Sequence, residues 1–454
     1  MRILHVPYTF YPEAVGGTEV YVLALATSQH FFGSEVAIAA PATAAASYVH
    51  DGFKVWRFPV SSTLTLAELY GDGDPVAAQA FGVILDEFKP DIVHLHAMTS
   101  AVSPRLARQA RQRGCLIVFN YHTPTVSCAR GTLLKWGSRI CNGDLETSPC
   151  AACALTNRGV PGTMARFIAS LPSALGDRLA EDDRSGGIWT ALRIPQLTSL
   201  RQRAFHSLME DADRIVALCN WTEDLLVRNG VPASKLVLCR QGISWPPAGA
   251  LSPVQSSSRP SASLPLRAAF LGRIDATKGP HVILQGLMNN PRLPLSLDVF
   301  GVFQNGADSG YAARIRTAAA QDSRVKLLPS IPSAQVIDRL AEYDVVVVPS
   351  QLLETGPLVV LEAFAAGTPV IGSNLGGIAE LITSGRDGLL VEPYSSPAAW
   401  AAVLQKICDE PALLDVLRAG ILPPRPMRQV ALDLVAVYES ALHLRESSLH
   451  THTQ

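Results

Sequence analysis

Two carboxylates and two cations carry the chemistry most visible in this 454-residue sequence. Glu354 and Glu362 stand eight positions apart in ETGPLVVLE, and Arg273 and Lys278 five apart in GRIDATKG. An ionised carboxylate only accepts hydrogen bonds, so the two glutamates suit hydroxyl groups. An arginine and a lysine beside a helix N-terminus suit a diphosphate, through charge-assisted N–H bonds to its oxygens. Together the four describe a site for a diphosphate with hydroxyl-bearing groups on either side.

Strand, loop and helix units must position them. The β-branched run 345–348, ended by Pro349 and Ser350, predicts a buried strand feeding a loop that holds Glu354 and Gly356. Pro357 suits a first helical position, and Leu358, Val359, Leu361, Phe364 and Ala365 predict an apolar helix face ending at Gly367, with Glu362 on that helix. Residues 369–371 begin the next strand, and Gly376-Gly377 turns into a short helix over 378–384. A strand over 267–271 likewise leads through Gly272 to Gly279 into a helix beginning at Pro280. Each helix start offers unpaired N–H groups and the positive end of its peptide dipoles, which attract phosphate.

The EX7E spacing, inside PS…E…G…EAFAAGTPV and followed by NLGG, resembles the donor-binding core of the retaining GT-B glycosyltransferases of family 4, the glycosyl transferases of group 1. That resemblance implies an α/β protein of GT-B fold, with two facing doubly wound Rossmann-like domains, a cleft between them and a nucleotide-sugar donor. It implies that Glu354 contacts the donor sugar and Glu362 the ribose hydroxyls. The backbone from Gly356 to Leu358 and Val359 would hold the pyrophosphate, with Arg273 and Lys278 as its clamp. Gly16-Gly17, after the first strand, would let the backbone approach donor phosphate and acceptor. The family commonly places a histidine past a strand end of the first domain, toward the donor sugar; His122 in FNYHTP is the better match and His96 in DIVHLHAM the second. Transfer with retention to a hydroxyl of a glycan, lipid-linked saccharide or glycoside follows from the resemblance, as does chemistry with no catalytic cofactor. A nucleotide-sugar epimerase of the same fold and a non-catalytic nucleotide-sugar or glycan-binding protein are the alternatives. Without the resemblance, such glutamates are solvated charges, a Gly-Gly pair serves any tight turn, and a lone histidine packs or faces water.

Along the chain, strands at 3–6, 35–40, 54–59, 91–96 and 116–121 alternate with helices over 18–32, 76–88 and 103–113. This order predicts a parallel sheet whose ligands sit beyond the carboxyl ends of its strands. The expected organisation is an amino-terminal domain over 1–244, a linker over 245–265 rich in Pro, Ser and Ala, and a donor-binding domain over 266–425. A helix is expected over 426–446, with Val430, Leu434, Val437, Tyr438, Ala441 and Leu444 as its apolar stripe; the GT-B resemblance implies that it crosses back to the first domain, and 447–454 is expected to be a disordered tail.

Two insertions depart from this core. A loop over 122–153 holds Cys128, Cys141, Cys150 and Cys153, four of the eight cysteines. In a reducing compartment such clustering favours a metal over disulfides, structural zinc first, with an iron–sulfur cluster, buried free thiols or a redox loop as alternatives. Residues 155–209 are expected to be helical, punctuated by Pro161, Pro172, Gly186-Gly187 and Pro195. Their arginines, interspersed with Phe167, Ile168, Leu171, Trp189 and Leu192, suit peripheral contact with an anionic membrane or an acidic acceptor, with a solvated helical cap as the alternative. A net charge of −1 carries no nucleic-acid footprint. The opening residues, broken by His5, Pro7 and Pro12, lack the apolar run of a leader, so the expected location is the cytoplasm, at most peripheral at the inner face of the membrane.

Overall fold

A computed structural model describes residues 1–13, 16–181, 186–244, 265–303 and 309–451. The chain divides into two compact units, Met1–Arg240 with Met427–Gln454, and Gln241–Pro426. The linker expected over 245–265 lies, but for its last residue, outside the described residues.

The first unit is built on β1 (Arg2–Val6), β2 (Glu35–Ala42), β3 (Ala46–His50), β4 (Phe53–Pro59), β5 (Ile92–Leu95) and β6 (Leu116–Tyr121). A separate hairpin, β7 (Leu134–Lys135) with β8 (Arg139–Ile140), precedes the last two strands of the main sheet, β9 (Arg214–Ala217) and β10 (Leu236–Leu238). The main sheet runs β10-β9-β6-β5-β1-β2-β4-β3. All its pairs are parallel except β3 with β4. Parallel strands covered on both faces are largely apolar, and every residue of β5 and β6 is buried, the polar His94 and Asn120 among them. Successive strands leave β1 in one direction and resume at β5 in the other, so the order reverses between β1 and β5.

Several local elements differ from expectation. β3 is a largely exposed edge strand whose sequence, ASYVH, carries no apolar–polar alternation. Helix Gly187–Asp211 runs through Pro195 instead of breaking there; the lost hydrogen bond is offset by packing of buried Ile194 and Leu197 on either side. The final helix, Met427–Thr451, continues through part of the expected tail. No Gly or Pro interrupts 447–451, and Arg445 Nη1 ties the helix down by donating to the carbonyls of Gly114 and Cys115 at 3.1 and 2.9 Å. Residues 452–454 lie outside the described residues. Val430, Leu434, Tyr438 and Ala441 are buried as expected, but Leu444 is exposed and Leu442 packs in its place.

The second unit has β11 (Leu266–Arg273), β12 (Leu295–Val302), β13 (Val325–Leu328), β14 (Val345–Val348), β15 (Val370–Ser373) and β16 (Gly388–Val391), all parallel, in the order β13-β12-β11-β14-β15-β16. In chain order this is 3-2-1-4-5-6, the doubly wound arrangement whose ligand crevice lies outside the carboxyl ends of strands 1 and 4. One face packs on Trp400 and Leu404 of helix Pro397–Asp409, the other on Val360, Ala363 and Phe364 of helix Leu358–Ala365. Each large apolar side chain so buried stabilises the unit by roughly 1.5–3 kcal/mol. Among the described residues no helix is long and apolar enough to cross a membrane.

Candidate functional site

In the second unit the order reversal falls between β11 and β14, and the stretches that leave these two strands carry the predicted residues: Arg273 ends β11, Lys278 and Glu354 lie in the following loops, and Glu362 lies on the helix Leu358–Ala365. After β11, Asp275 Oδ1 accepts hydrogen bonds from the backbone N–H of Thr277 and Lys278 at 2.9 and 3.1 Å, which shapes the turn into helix Pro280–Asn289. Gly279 has φ +73°, and a Cβ there would stand 1.9 Å from the Pro349 carbonyl oxygen, so only glycine lets the two loops approach. Gln351 N–H donates to the Thr277 carbonyl at 2.7 Å and locks them together.

Across this junction Lys278 Nζ lies 2.6 Å from Glu354 Oε1, and Ser350 Oγ donates to the same oxygen at 2.8 Å. Both charged side chains are mostly shielded, which strengthens their attraction relative to a surface pair. Arg273 Nε lies 3.5 Å from Asp275 Oδ2.

Helix Leu358–Ala365 follows, with Pro357 one position earlier than expected, at the N-cap. Proline offers no side-chain cap, and among the described residues the N–H groups of Leu358 and Val359 have no acceptor. Gly356 stands in the loop before them at φ +131°. Behind the loop, Gly377 N–H donates to the Glu354 carbonyl at 2.7 Å, and a Cβ on Gly377 would meet that oxygen at 2.6 Å. The second glycine turn thus braces the Glu354 loop. Glu362 is deeply set, and among the described residues nothing hydrogen-bonds its carboxyl; burial pushes its pKa up to about 7.

In the first unit, Gly16 and Gly17 open helix Gly17–Phe31 as expected. Glu19, which sequence reasoning did not single out, is buried over that start, and the Gly16 backbone hydrogen-bonds its carboxyl. Burial nevertheless raises its pKa. An acidic residue in the first helical turn was the available signal. His122 is buried just past β6 and does not stand alone: His5, His94, His96 and His122 cluster where the order reverses between β1 and β5. His5 and His94 are register partners, and His5 Nδ1 lies 2.9 Å from His96 Nε2. His96 Nδ1 lies 3.0 Å from His122 Nε2, with Asn120 Nδ2 2.9 Å from that same nitrogen.

The family described as Glycosyl transferase 4-like domain matches residues 16–242, half of the chain, and that described as Glycosyl transferases group 1 matches 257–419. The chain belongs to the group 1 glycosyltransferases. D-inositol 3-phosphate glycosyltransferases are similar to it: that of Streptosporangium roseum is 31% identical over 258 residues, 53% of this chain and 55% of that one. The first such protein of Catenulispora acidiphila is 32% identical over 184 residues, 38% and 44% of the two chains. The chain thus spans about half the length of these curated relatives. In three dimensions it resembles sucrose-phosphate synthase of Thermosynechococcus elongatus, with a TM-score of 0.67, 18% identity and coverage of 98% and 99%. HepE of Anabaena, in complex with UDP and glucose, gives a TM-score of 0.60 at 14% identity, covering 97% and 100%. The fold is GT-B.

In this group 1 glycosyltransferase the cysteine loop is an addition to the two sheets. Cys128, Cys141, Cys150 and Cys153 are all free thiols that line one cavity, with Cys150 and Cys153 three apart on helix Thr147–Asn157. Gly143 N–H donates to Cys141 Sγ at 3.5 Å and Trp136 N–H to Cys153 Sγ at 3.4 Å. Burial pushes the Cys150 thiol up to about 11. Among the described residues no three of these sulfurs lie within 4.8 Å of one another; the potential metal ligands that do are His5, His94 and His96. Among the described residues the expected helical insertion takes in the end of helix Thr147–Asn157 and helices Gly162–Ala169, Ser173–Glu181 and Gly187–Asp211, and it leaves Met164, Phe167 and Ile188 exposed. Arg201 departs from the proposed basic face by turning inward to the Thr125 carbonyl.

Proposed function

We propose that the chain is a retaining hexosyltransferase that moves a sugar from a nucleoside-diphosphate sugar to an acceptor hydroxyl. The observation that carries this reading is the meeting of Lys278 with Glu354 at the order reversal of the second sheet, beside a helix start with unaccepted N–H groups. Lys278, Arg273 and the N–H groups of Leu358 and Val359 hold the diphosphate, and Glu362 accepts hydrogen bonds from the ribose hydroxyls. On donor binding Lys278 exchanges part of its bond with Glu354 for a phosphate oxygen, and the freed carboxylate oxygen takes a sugar hydroxyl.

In the transfer, the bond from the anomeric carbon to the phosphate oxygen breaks and its electron pair leaves with the diphosphate. The cations and helix N–H groups stabilise that growing charge. The acceptor oxygen bonds to the anomeric carbon on the face the phosphate leaves, and its proton passes to a phosphate oxygen, which gives retention. No enzyme nucleophile is required, so Glu354 orients the sugar. In the amino-terminal unit, Gly16, Gly17 and His122 are assigned to the same donor on the family motif alone. The names of the relatives make an inositol phosphate an acceptor to try, and the HepE complex with UDP and glucose makes a uridine diphosphate sugar a donor to try. Calorimetry with a panel of nucleotide sugars tests the donor site; binding of none of them contradicts it.

Two ancillary roles belong to this reading. Cys128, Cys141, Cys150 and Cys153 hold a structural zinc, since four thiols share a cavity and backbone N–H groups already face two of the sulfurs, as thiolates require. The sulfurs must turn inward to reach tetrahedral distances. Exposed Met164, Phe167 and Ile188 with nearby Arg166 rest on anionic lipid, which flotation with acidic vesicles tests.

A further inference from the structure

The cavity that the four cysteines share is also lined by donors that nothing accepts from. Arg130 Nε, Arg201 Nε and Gln202 Nε2 are buried without a hydrogen-bond partner among the described residues, and all three side chains belong to the cavity wall. A buried N–H with no acceptor is costly, and more so on a guanidinium, so three around one space point to an electron-rich occupant.

Each of the three side chains is anchored at its other end. Arg201 Nη2 donates to the Thr125 carbonyl, and Arg130 Nη1 to the Cys153 carbonyl at 3.1 Å. Gln202 Oε1 accepts from the Thr147 hydroxyl at 2.7 Å, at the start of the helix that carries Cys150 and Cys153. Held in this way, the remaining N–H groups lose little freedom when they gain an acceptor.

The carboxylates of the cavity wall do not serve them. Asp144 Oδ1 accepts from Arg228 Nε at 3.1 Å, its other oxygen accepts from Asn142 Nδ2, and Glu146 is exposed. The ionisable acids that act on Arg201 are Cys128, Tyr70 and Tyr121, Cys128 most strongly, with no carboxylate among them. Phenols keep their protons at neutral pH, which leaves the cysteine sulfurs. Backbone N–H groups already face the sulfurs of Cys141 and Cys153, whereas among the described residues none faces Cys128 or Cys150. Charge points the same way. Four thiolates outweigh a divalent ion by two negative charges, which the guanidiniums of Arg130 and Arg201 balance.

We propose that Arg130, Arg201 and Gln202 surround a zinc–tetrathiolate site, Arg201 donating to Cys128 and Gln202 to Cys150, while the two arginines neutralise its excess charge. Because Arg201 also holds Thr125, the metal fixes the turn Pro124–Val126 directly past β6, at the sheet edge where a doubly wound fold receives its ligands. The metal itself rests on the zinc reading above; the three donors and their sulfurs are the addition.

Competition of the full chain against a zinc chelator tests the assignment. Arg201→Met is expected to weaken zinc binding about 10- to 100-fold. Arg201→Lys, which keeps the charge, and Gln202→Met, which removes none, should each lose less, about three- to tenfold. Arg203→Met, at an exposed arginine of the same helix, should change nothing. Hydrogen exchange of the amides of 125–128 should speed up in Arg201→Met. Wild-type zinc affinity or wild-type exchange in a folded Arg201→Met overturns the proposal and leaves the zinc reading standing. Where that variant does not fold, wild-type affinity in both Arg201→Lys and Gln202→Met overturns it. Wild type that takes up no zinc is a different failure, that of the zinc reading, and the proposal falls with it.

Discussion

Lys278 and Glu354 close an ion pair of 2.6 Å between residues 76 positions apart, from loops that leave the first and fourth strands of one sheet. The pair joins two residues to which the proposal gives separate roles, phosphate clamp and sugar contact. Removing either partner leaves the other charge largely shielded and without its ion-pair partner. Lys278→Met and Glu354→Leu are each expected to destabilise the second unit by about 1–3 kcal/mol, and the double variant by less than the sum. Denaturant unfolding of the three variants checks this; additive losses mean the contact contributes nothing.

Glu362 should make nucleotide binding and stability depend on pH in opposite directions. Its folded pKa of about 7 exceeds its ordinary 4.5, so between these values the folded chain holds the extra proton, and stability falls as pH rises through that window, by on the order of 3 kcal/mol in all. Ribose hydroxyls need the ionised carboxylate, so the affinity for a nucleoside diphosphate should rise from pH 6 to 8. Glu362→Gln should flatten both trends, and calorimetry of the two proteins across that range reads the difference. Parallel pH profiles in wild type and variant contradict the assignment. By contrast, Glu354→Ala should leave binding of the product nucleotide near normal and weaken binding of the intact donor.

The buried histidines give the first unit the opposite signature. Each is depressed below 6.5, so the unfolded chain takes up protons that the folded chain refuses; their contribution is intact above pH 6.5 and is lost as pH falls toward 4. For His5 alone the loss is on the order of 3 kcal/mol. Thermal unfolding at pH 7 and pH 5 should show the first unit losing stability on acidification. Unchanged melting of this unit between those pH values contradicts neutral burial of the cluster.

Four thiols around one cavity predict about one zinc per chain in protein made under reducing conditions. Cys150→Ser should lower that content and loosen the hairpin of β7 and β8, with donor binding intact. Elemental analysis decides it: metal-free, fully active protein with four reactive thiols removes zinc from the loop.

The sequence makes the donor-side elements readable because their signals are local. The β-branched run of β14, the glycine of GTPV and the apolar face of the following helix each mark their own boundary to within a residue or two. Glu354, Glu362, Arg273 and Lys278 could be assigned to loops and helix for the same reason. Their mutual geometry could not, because the 2.6 Å contact depends on the order 3-2-1-4-5-6, which brings strands 1 and 4 together. The hydrogen-bonded histidine cluster was hidden likewise: His5, Gln29, His94 and Tyr438 come from four separate stretches, and no spacing links them. Edge strand β3 was missed because it is held by antiparallel pairing with β4 and has no pattern of its own, and the run of helix through Pro195 because packing of Ile194 and Leu197 overrides the local break.

The most direct measurement is turnover of nucleotide sugars by wild type and Lys278→Ala, with acceptors that include an inositol phosphate. Wild type should release nucleoside diphosphate and form a glycoside with the donor's anomeric configuration, while Lys278→Ala, still folded, should lose about a hundredfold or more in kcat/KM. Equal turnover in a folded Lys278→Ala variant, or inversion at the anomeric carbon, would contradict the site and its chemistry.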